Sequence, residues 1–339
     1  MFKRPRLSAQ TFPVNAGIAG FLLFYAASCS GPQEPEPEQP AIEENSSSEQ
    51  PVEPESAADT LPAVWSTDAL DFPVRSLGIA GGASSTFAVA YEGGGLQIFD
   101  FNADRVTNVT DTDVVALAEG RYAMLSGTPV TFFPGIDSDG DIAVWIHGGN
   151  LREAIPYELQ ISQSGRADGL CAAPPAPGSE ALHRLAYWTA GSTTLLVGEI
   201  NESDGELAWS SVEDIETGQL IGACTFTFDG IEVYGDSIAE SSNLRHRGRE
   251  TLLTLSEAGG LSVLFGDGEE QTFDITPGIT VRVPDMFTSL AATGDPRGGG
   301  YPDGLIILGG TIGNSDHRAI LVDPKRITAS SIPIPPGGR

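Results

Sequence analysis

Short runs of alternating or continuous apolar β-formers recur along the chain, each bounded by Gly, Pro, Asn or Asp. They include TFAVAYEGGGLQIFDF (86–101), DIAVWIHGG (141–149), TTLLVGEI (193–200), ETLLTLSEAGGLSVLFGDG (250–268) and GLIILGGT (304–311). Several are joined through glycine-rich or acidic turns, which is the signature of hairpins. No stretch sustains a helical period, and VVALAEGRYAML (114–125) is short and interrupted at Gly120. The pattern predicts an all-β domain over 61–339 with about twenty strands.

Turn signals come about every 8–12 residues and hairpin units roughly every 40–50, which favours radial repetition over one large sandwich. The expected architecture is a six-bladed β-propeller. A five-bladed or trimmed propeller and a double sandwich are the alternatives. The stretch from 240 to 250 reads as shortened, and it marks where a blade would be trimmed.

The N-terminus departs from this pattern. Lys3, Arg4 and Arg6 precede an apolar run from Ala16 to Ala27 that ends Ala26-Ala27-Ser28-Cys29. Charged start, short apolar run and small residues before a Cys describe a signal peptide over 1–28. The end of that run is similar to a bacterial lipobox, which predicts acylation of Cys29 and anchoring to the bacterial outer membrane. Ala26 stands where such sequences most often have Leu. From Ser30 to Thr60 the chain carries nine acidic residues, no basic one and many Pro and Ser, so 29–60 is expected to be a disordered tether behind the anchor.

Charge narrows the partners. The 339 residues hold 46 acids against 18 Lys and Arg, a formal charge of −28, and Lys3 and Lys325 are the only lysines. A surface of this sign does not suit nucleic acid, which leaves cations and small molecules. Motifs for nucleophilic hydrolases, zinc proteases and P-loops are absent. His147, His183, His246 and His317 are widely spaced and read as surface or turn residues. The glycines of Gly309-Gly310-Thr311-Ile312-Gly313 read as turns. Asp137-Ser138-Asp139-Gly140-Asp141 has alternating carboxylates, but Gly148 occupies the twelfth position where a calcium loop needs Glu, so it reads as an acidic β-turn. After export two cysteines remain, Cys171 and Cys224. They predict a disulfide closing a loop of about 50 residues, which stabilises by roughly 3–4 kcal/mol; two buried thiols are the alternative.

Three segments in order resemble the β-propeller phytases. SLGIAGGASSTFAVAYEGGGLQIFDFNADRV (76–106) is similar to that family's opening blade. Gly169-Leu170-Cys171 and Gly222-Ala223-Cys224 are similar to its Gly-Leu-Cys and Glu-Gly-Cys pair. YPDGLIILGGTIGNSDHRAILVDPKRI (301–327) is similar to its closing strands. The resemblance frames most of 70–335. It implies a six-bladed propeller whose carboxylates hold calcium ions at the top of the channel, with Lys and Arg holding phytate phosphates.

The chain departs from that family where its calcium ligands stand. Thr225-Phe226-Thr227-Phe228-Asp229 replaces an acidic run, only Asp236 precedes Ser237, and Gly309-Gly310-Thr311 replaces the closing Gln-Asp-Gly. Asp71-Phe72-Pro73-Val74 is a partial match to the early calcium motif, and Asp285 lacks the acidic run expected before the last blade. The expectation is an inherited fold with catalysis reduced or lost and a binding role. The alternative is a calcium-dependent phytase or related phosphomonoesterase, with Asp229, Asp236 and Asp285 on calcium and Arg245, Arg247, Arg249 and Arg297 on phosphate. The partner would then be phytate or another phosphorylated small molecule. An unrelated sugar- or lactone-processing propeller is a third possibility.

Overall fold

The computed structural model describes residues 59–330, apart from 82, 150, 162–164, 204, 267 and 297–299. All of these lie in Ser56–Arg339, the second of the two units into which the chain divides. The expectations for the signal peptide, Cys29, the acidic tether and Arg297 fall outside the described residues.

After β1 (Thr60–Ser66), the strands β2 (Val74–Gly81), β3 (Thr86–Tyr91) and β4 (Leu96–Asp100) form an antiparallel meander. The next contains β5 (Val114–Leu117), β6 (Gly120–Leu125), β7 (Thr128–Asp137), β8 (Ile142–His147) and β9 (Ile155–Glu158). Strands β5 and β6 pair with successive halves of β7, Leu117 opposite Gly135 and Arg121 opposite Phe132. They are one first strand broken at Ala118-Glu119. A third meander holds β10 (Ala167–Ala173), β11 (His183–Thr189), β12 (Thr194–Ser203) and β13 (Glu206–Glu216).

A short hairpin follows, β14 (Ala223–Phe226) with β15 (Ile231–Tyr234). Then come β16 (Ile238–His246), β17 (Arg249–Ser256), β18 (Leu261–Phe265) and β19 (Glu270–Thr276), and finally β20 (Met286–Thr293), β21 (Leu305–Ile312) and β22 (Asp316–Val322). Strand β1 completes the last meander, antiparallel to β22 with Ala63 opposite Val322, and its first residues run parallel to β19. The first described strand is thereby sewn into the last. One helix of six residues, α1 (Lys325–Ser330), closes the described chain.

The first strands of successive groups pack on one another in a circuit: β2 on β5, β5 on β10, β10 on β14, β14 on β16, β16 on β20, and β20 back on β2. This is an all-β, propeller-like fold. Burial follows position in it. First strand β2 is buried at all but one residue, whereas the edge strand β13 is mostly exposed. That gradient explains why some runs in the sequence are continuously apolar and others alternate.

Two expectations are corrected here. The shortened group is the hairpin at 223–234, not the stretch 240–250, which lies within the long pair β16–β17. Gly309 and Gly310 lie inside β21 rather than in a turn. A Cβ on Gly309 would come within 2.5 Å of Val74 Cγ1, and one on Gly310 within 2.3 Å of the Met286 carbonyl, so close packing excludes any side chain there.

Candidate functional site

The first strands line a cavity of about 340 Å³ that is partly open to solvent. Its apolar side chains are Leu77 and Ile79 from β2, Leu117 from β5, Leu170 from β10, Trp188 from β11 and Leu290 from β20, and polar groups make up the rest of the wall. Glu240 on β16 interrupts this wall. Its Oε1 accepts from Ser76 Oγ at 3.2 Å, and its Oε2 accepts from the backbone N–H of Leu290. Ser76 Oγ in turn accepts from Leu117 N at 3.0 Å. One carboxyl thus joins β16, β20, β2 and β5.

Glu240 is half-buried by surface area because it borders the cavity, yet protein surrounds it on every side. Desolvation pushes its pKa up to about 8, against the opposing pull of the two hydrogen bonds. At neutral pH it is therefore mostly protonated.

The period-2 alternation of a strand sends β16 side chains to both neighbours. Glu240 and Ser242 reach β20, where Ala292 N donates to Ser242 Oγ at 2.9 Å. Asn243 and Arg245 point the other way and both donate to the Phe226 carbonyl at the end of β14, at 2.8 and 2.7 Å. The remaining junctions of the circuit are tied as well. Thr288 Oγ1 donates to Val74 O at 2.9 Å, and His183 Nε2 bonds to Glu119 O at 2.8 Å. Between β10 and β14 the tie is covalent: Cys171 and Cys224 form the expected disulfide, with their Cα atoms 5.7 Å apart.

His183 and His246 correct the reading of the histidines as surface or turn residues. His183 is fully buried against the ring of Phe132, and His246 is buried beside Gly294 O and Asp303. Burial pushes the His183 pKa down to about 3, with Arg121, Arg184 and Arg245 adding to the shift, so the ring is neutral. The acidic sequence 137–141 is a turn, as expected: Asp137 Oδ1 accepts from the backbone N–H of Asp139 and Asp141.

The residues singled out for calcium do not converge. Asp229 lies in the turn before β15 and Asp236 just beyond its other end, both exposed. Asp285 precedes β20, and its Oδ2 accepts from Gly313 N at 2.7 Å. Among the described residues no group of three or more His, Cys, Asp or Glu side chains is placed to hold a metal ion. These carboxylates do not fit a shared calcium centre.

The arginines are also divided. Arg245 is held between Glu250 and the Phe226 carbonyl, and Arg247 sits on an exposed turn 3.9 Å from Asp303. Arg249 opens β17 and is half-buried. Sequence reading missed Glu240 and Asn243, although an acid two residues from Ile238 and four from the buried Leu244 is one sign of an inward carboxyl.

No family model and no curated protein matches this chain. Among solved structures it is similar to Raptor from Chaetomium thermophilum, at 9% identity over 77% of this chain and 29% of that one, with a TM-score of 0.43. The chain thus spans less than a third of that protein, and a likeness at this level transfers neither fold nor function.

Proposed function

We propose that the chain is an exported, lipid-anchored binding protein whose ligand site is the central cavity of a six-bladed propeller. The blades would be β2–β4, β5–β9, β10–β13, the two-stranded β14–β15, β16–β19, and β20–β22 completed by β1. Acylated Cys29 would hold the domain to the bacterial outer membrane, with the acidic stretch to residue 60 as spacer.

The observation that carries this reading is the cavity wall. It sets apolar side chains beside polar ones, among them the Glu240 carboxyl fixed by donors from two neighbouring strands, Ser76 and Leu290. A concave wall of this kind is suited to holding a small molecule, because partial shielding from water strengthens the polar contacts it offers. The resemblance to β-propeller phytases supports an inherited architecture. Phytate hydrolysis in that family draws on converging carboxylates, and Asp229, Asp236 and Asp285 are dispersed here.

The test is phosphate release from phytate by the full chain, with and without millimolar calcium, alongside melting curves under both conditions. The expected result is no calcium-dependent release and no calcium shift of the melting temperature. Calcium-dependent turnover would overturn the binding reading in favour of a phosphomonoesterase.

A further inference from the structure

We propose that the central cavity takes a compact organic cation, an alkylammonium of a few carbons whose N–H groups donate to the Glu240 carboxyl. This rests on the reading of the cavity as the ligand site and adds the class of ligand.

Charge is the first ground. The ionisable residues on the wall are Arg75, Glu119, Asp168 and Glu240; with Glu240 mostly protonated at neutral pH, that leaves two acids against one base until a cation draws the proton off Glu240. The base, Arg75, lies 3.8 Å from Asp113, outside the lining, so its charge is partly met before any ligand arrives. In a domain with so many acids, a concave wall of this composition concentrates cations and repels phosphates.

Donor supply is the second ground. Asn243 lines the cavity and is 8% exposed. Its Nδ2 donates to two acceptors, Phe226 O and Glu250 Oε1, which fixes the amide orientation and leaves Oδ1 as the other end. That Oδ1 has no hydrogen-bond partner, and neither has the buried Ser241 Oγ on the same strand. Asn243 Oδ1 can only accept and Ser241 Oγ can accept as well as donate, so both can take an N–H from a ligand. A ligand bearing several N–H groups complements them, whereas one that only accepts does not. The apolar stretch from Leu77, Leu117, Leu170 and Trp188 then offers a surface for methylenes.

The closing experiment is calorimetric titration of the full chain with four probes: propylammonium, 1,4-diaminobutane, the neutral 1,4-butanediol and phytate. The amines are expected to bind at least about tenfold tighter than the diol, a gap of about 1.4 kcal/mol. Phytate is expected not to bind, and E240Q should weaken the amines by about tenfold or more. The comparison of amine with diol on the unaltered protein stands whether or not E240Q folds. Diol binding equal to amine binding would overturn the cation while leaving the cavity a ligand site, and so would preference for phytate. Binding of none of the four would overturn the cavity reading as well.

Discussion

The hairpin β14–β15 and the sheet β10–β13 pack against each other, and they are held by different means. The sheet has strands of seven to eleven residues, each hydrogen-bonded to the next. The hairpin has two strands of four residues, and Ile231 and Val233 on its outer strand are only half-buried. Two strands of that length are marginal alone. Ile221, Cys224 and Phe226 instead join the sheet's own core of Trp188, Leu195 and Val197. Phe226 is the pin: its ring lies under the Arg184 guanidinium at 4.7 Å, and its carbonyl accepts from both Asn243 and Arg245. Where a group of strands is shortened, the missing sheet area is offset by a covalent bond and by an amide and two guanidinium groups converging on one residue.

Breaking the covalent tie should have the largest effect. The disulfide spans 53 residues of sequence, and the paired substitution C171A/C224A should cost about 4 kcal/mol in chemical denaturation. Hydrogen exchange should then rise first over 223–234, with the sheet β10–β13 retaining its protection. F226A should cost about 3 kcal/mol, because it removes a buried ring and leaves the carbonyl with its donors; F226L should recover much of that loss.

The junctions without a disulfide should respond to pH. Glu240 keeps its proton in the fold up to about pH 8 against an ordinary value of 4.5, so stability falls as pH rises through that window and levels off above it. His183 acts in the opposite direction. It is neutral in the fold down to about pH 3 while the unfolded ring titrates at 6.5, so its stability is present above 6.5 and lost as pH falls towards 3. Melting temperature against pH should decline on both sides, and E240Q should flatten the alkaline side alone. The smallest effect belongs to the exposed edge of the full sheet. Val212 is 60% exposed, and V212T should change stability by less than about 0.5 kcal/mol.

Much of this architecture was legible in one dimension. The apolar runs at 86–101, 141–149, 193–200, 250–268 and 304–311 each hold strands, because turn residues bound them and burial rewards their alternation. The cysteine pair was legible too, since only two cysteines lie beyond the expected signal peptide and Cys29, one partner for each. Other features depend on neighbours far away in sequence. Gly309 and Gly310 sit in a strand because Val74 and Met286 leave no room for a side chain, and nothing local announces that. The stretch 244–249 holds three arginines and nothing local marks it as packed, yet Leu244 and His246 are buried and Arg245 is engaged by Glu250. Glu240 stands among alanine and serines, a composition that reads as solvent-facing. Only closure of the strand circuit encloses it.

The Glu240 carboxyl sits where β16, β20, β2 and β5 meet, and its titration reports whether water reaches it. With glutamate carboxyls labelled with carbon-13, the resonance that disappears in E240Q should titrate with a midpoint near 8. A midpoint near 4.5, the value of a carboxyl open to water, would contradict a Glu240 shielded by the surrounding strands.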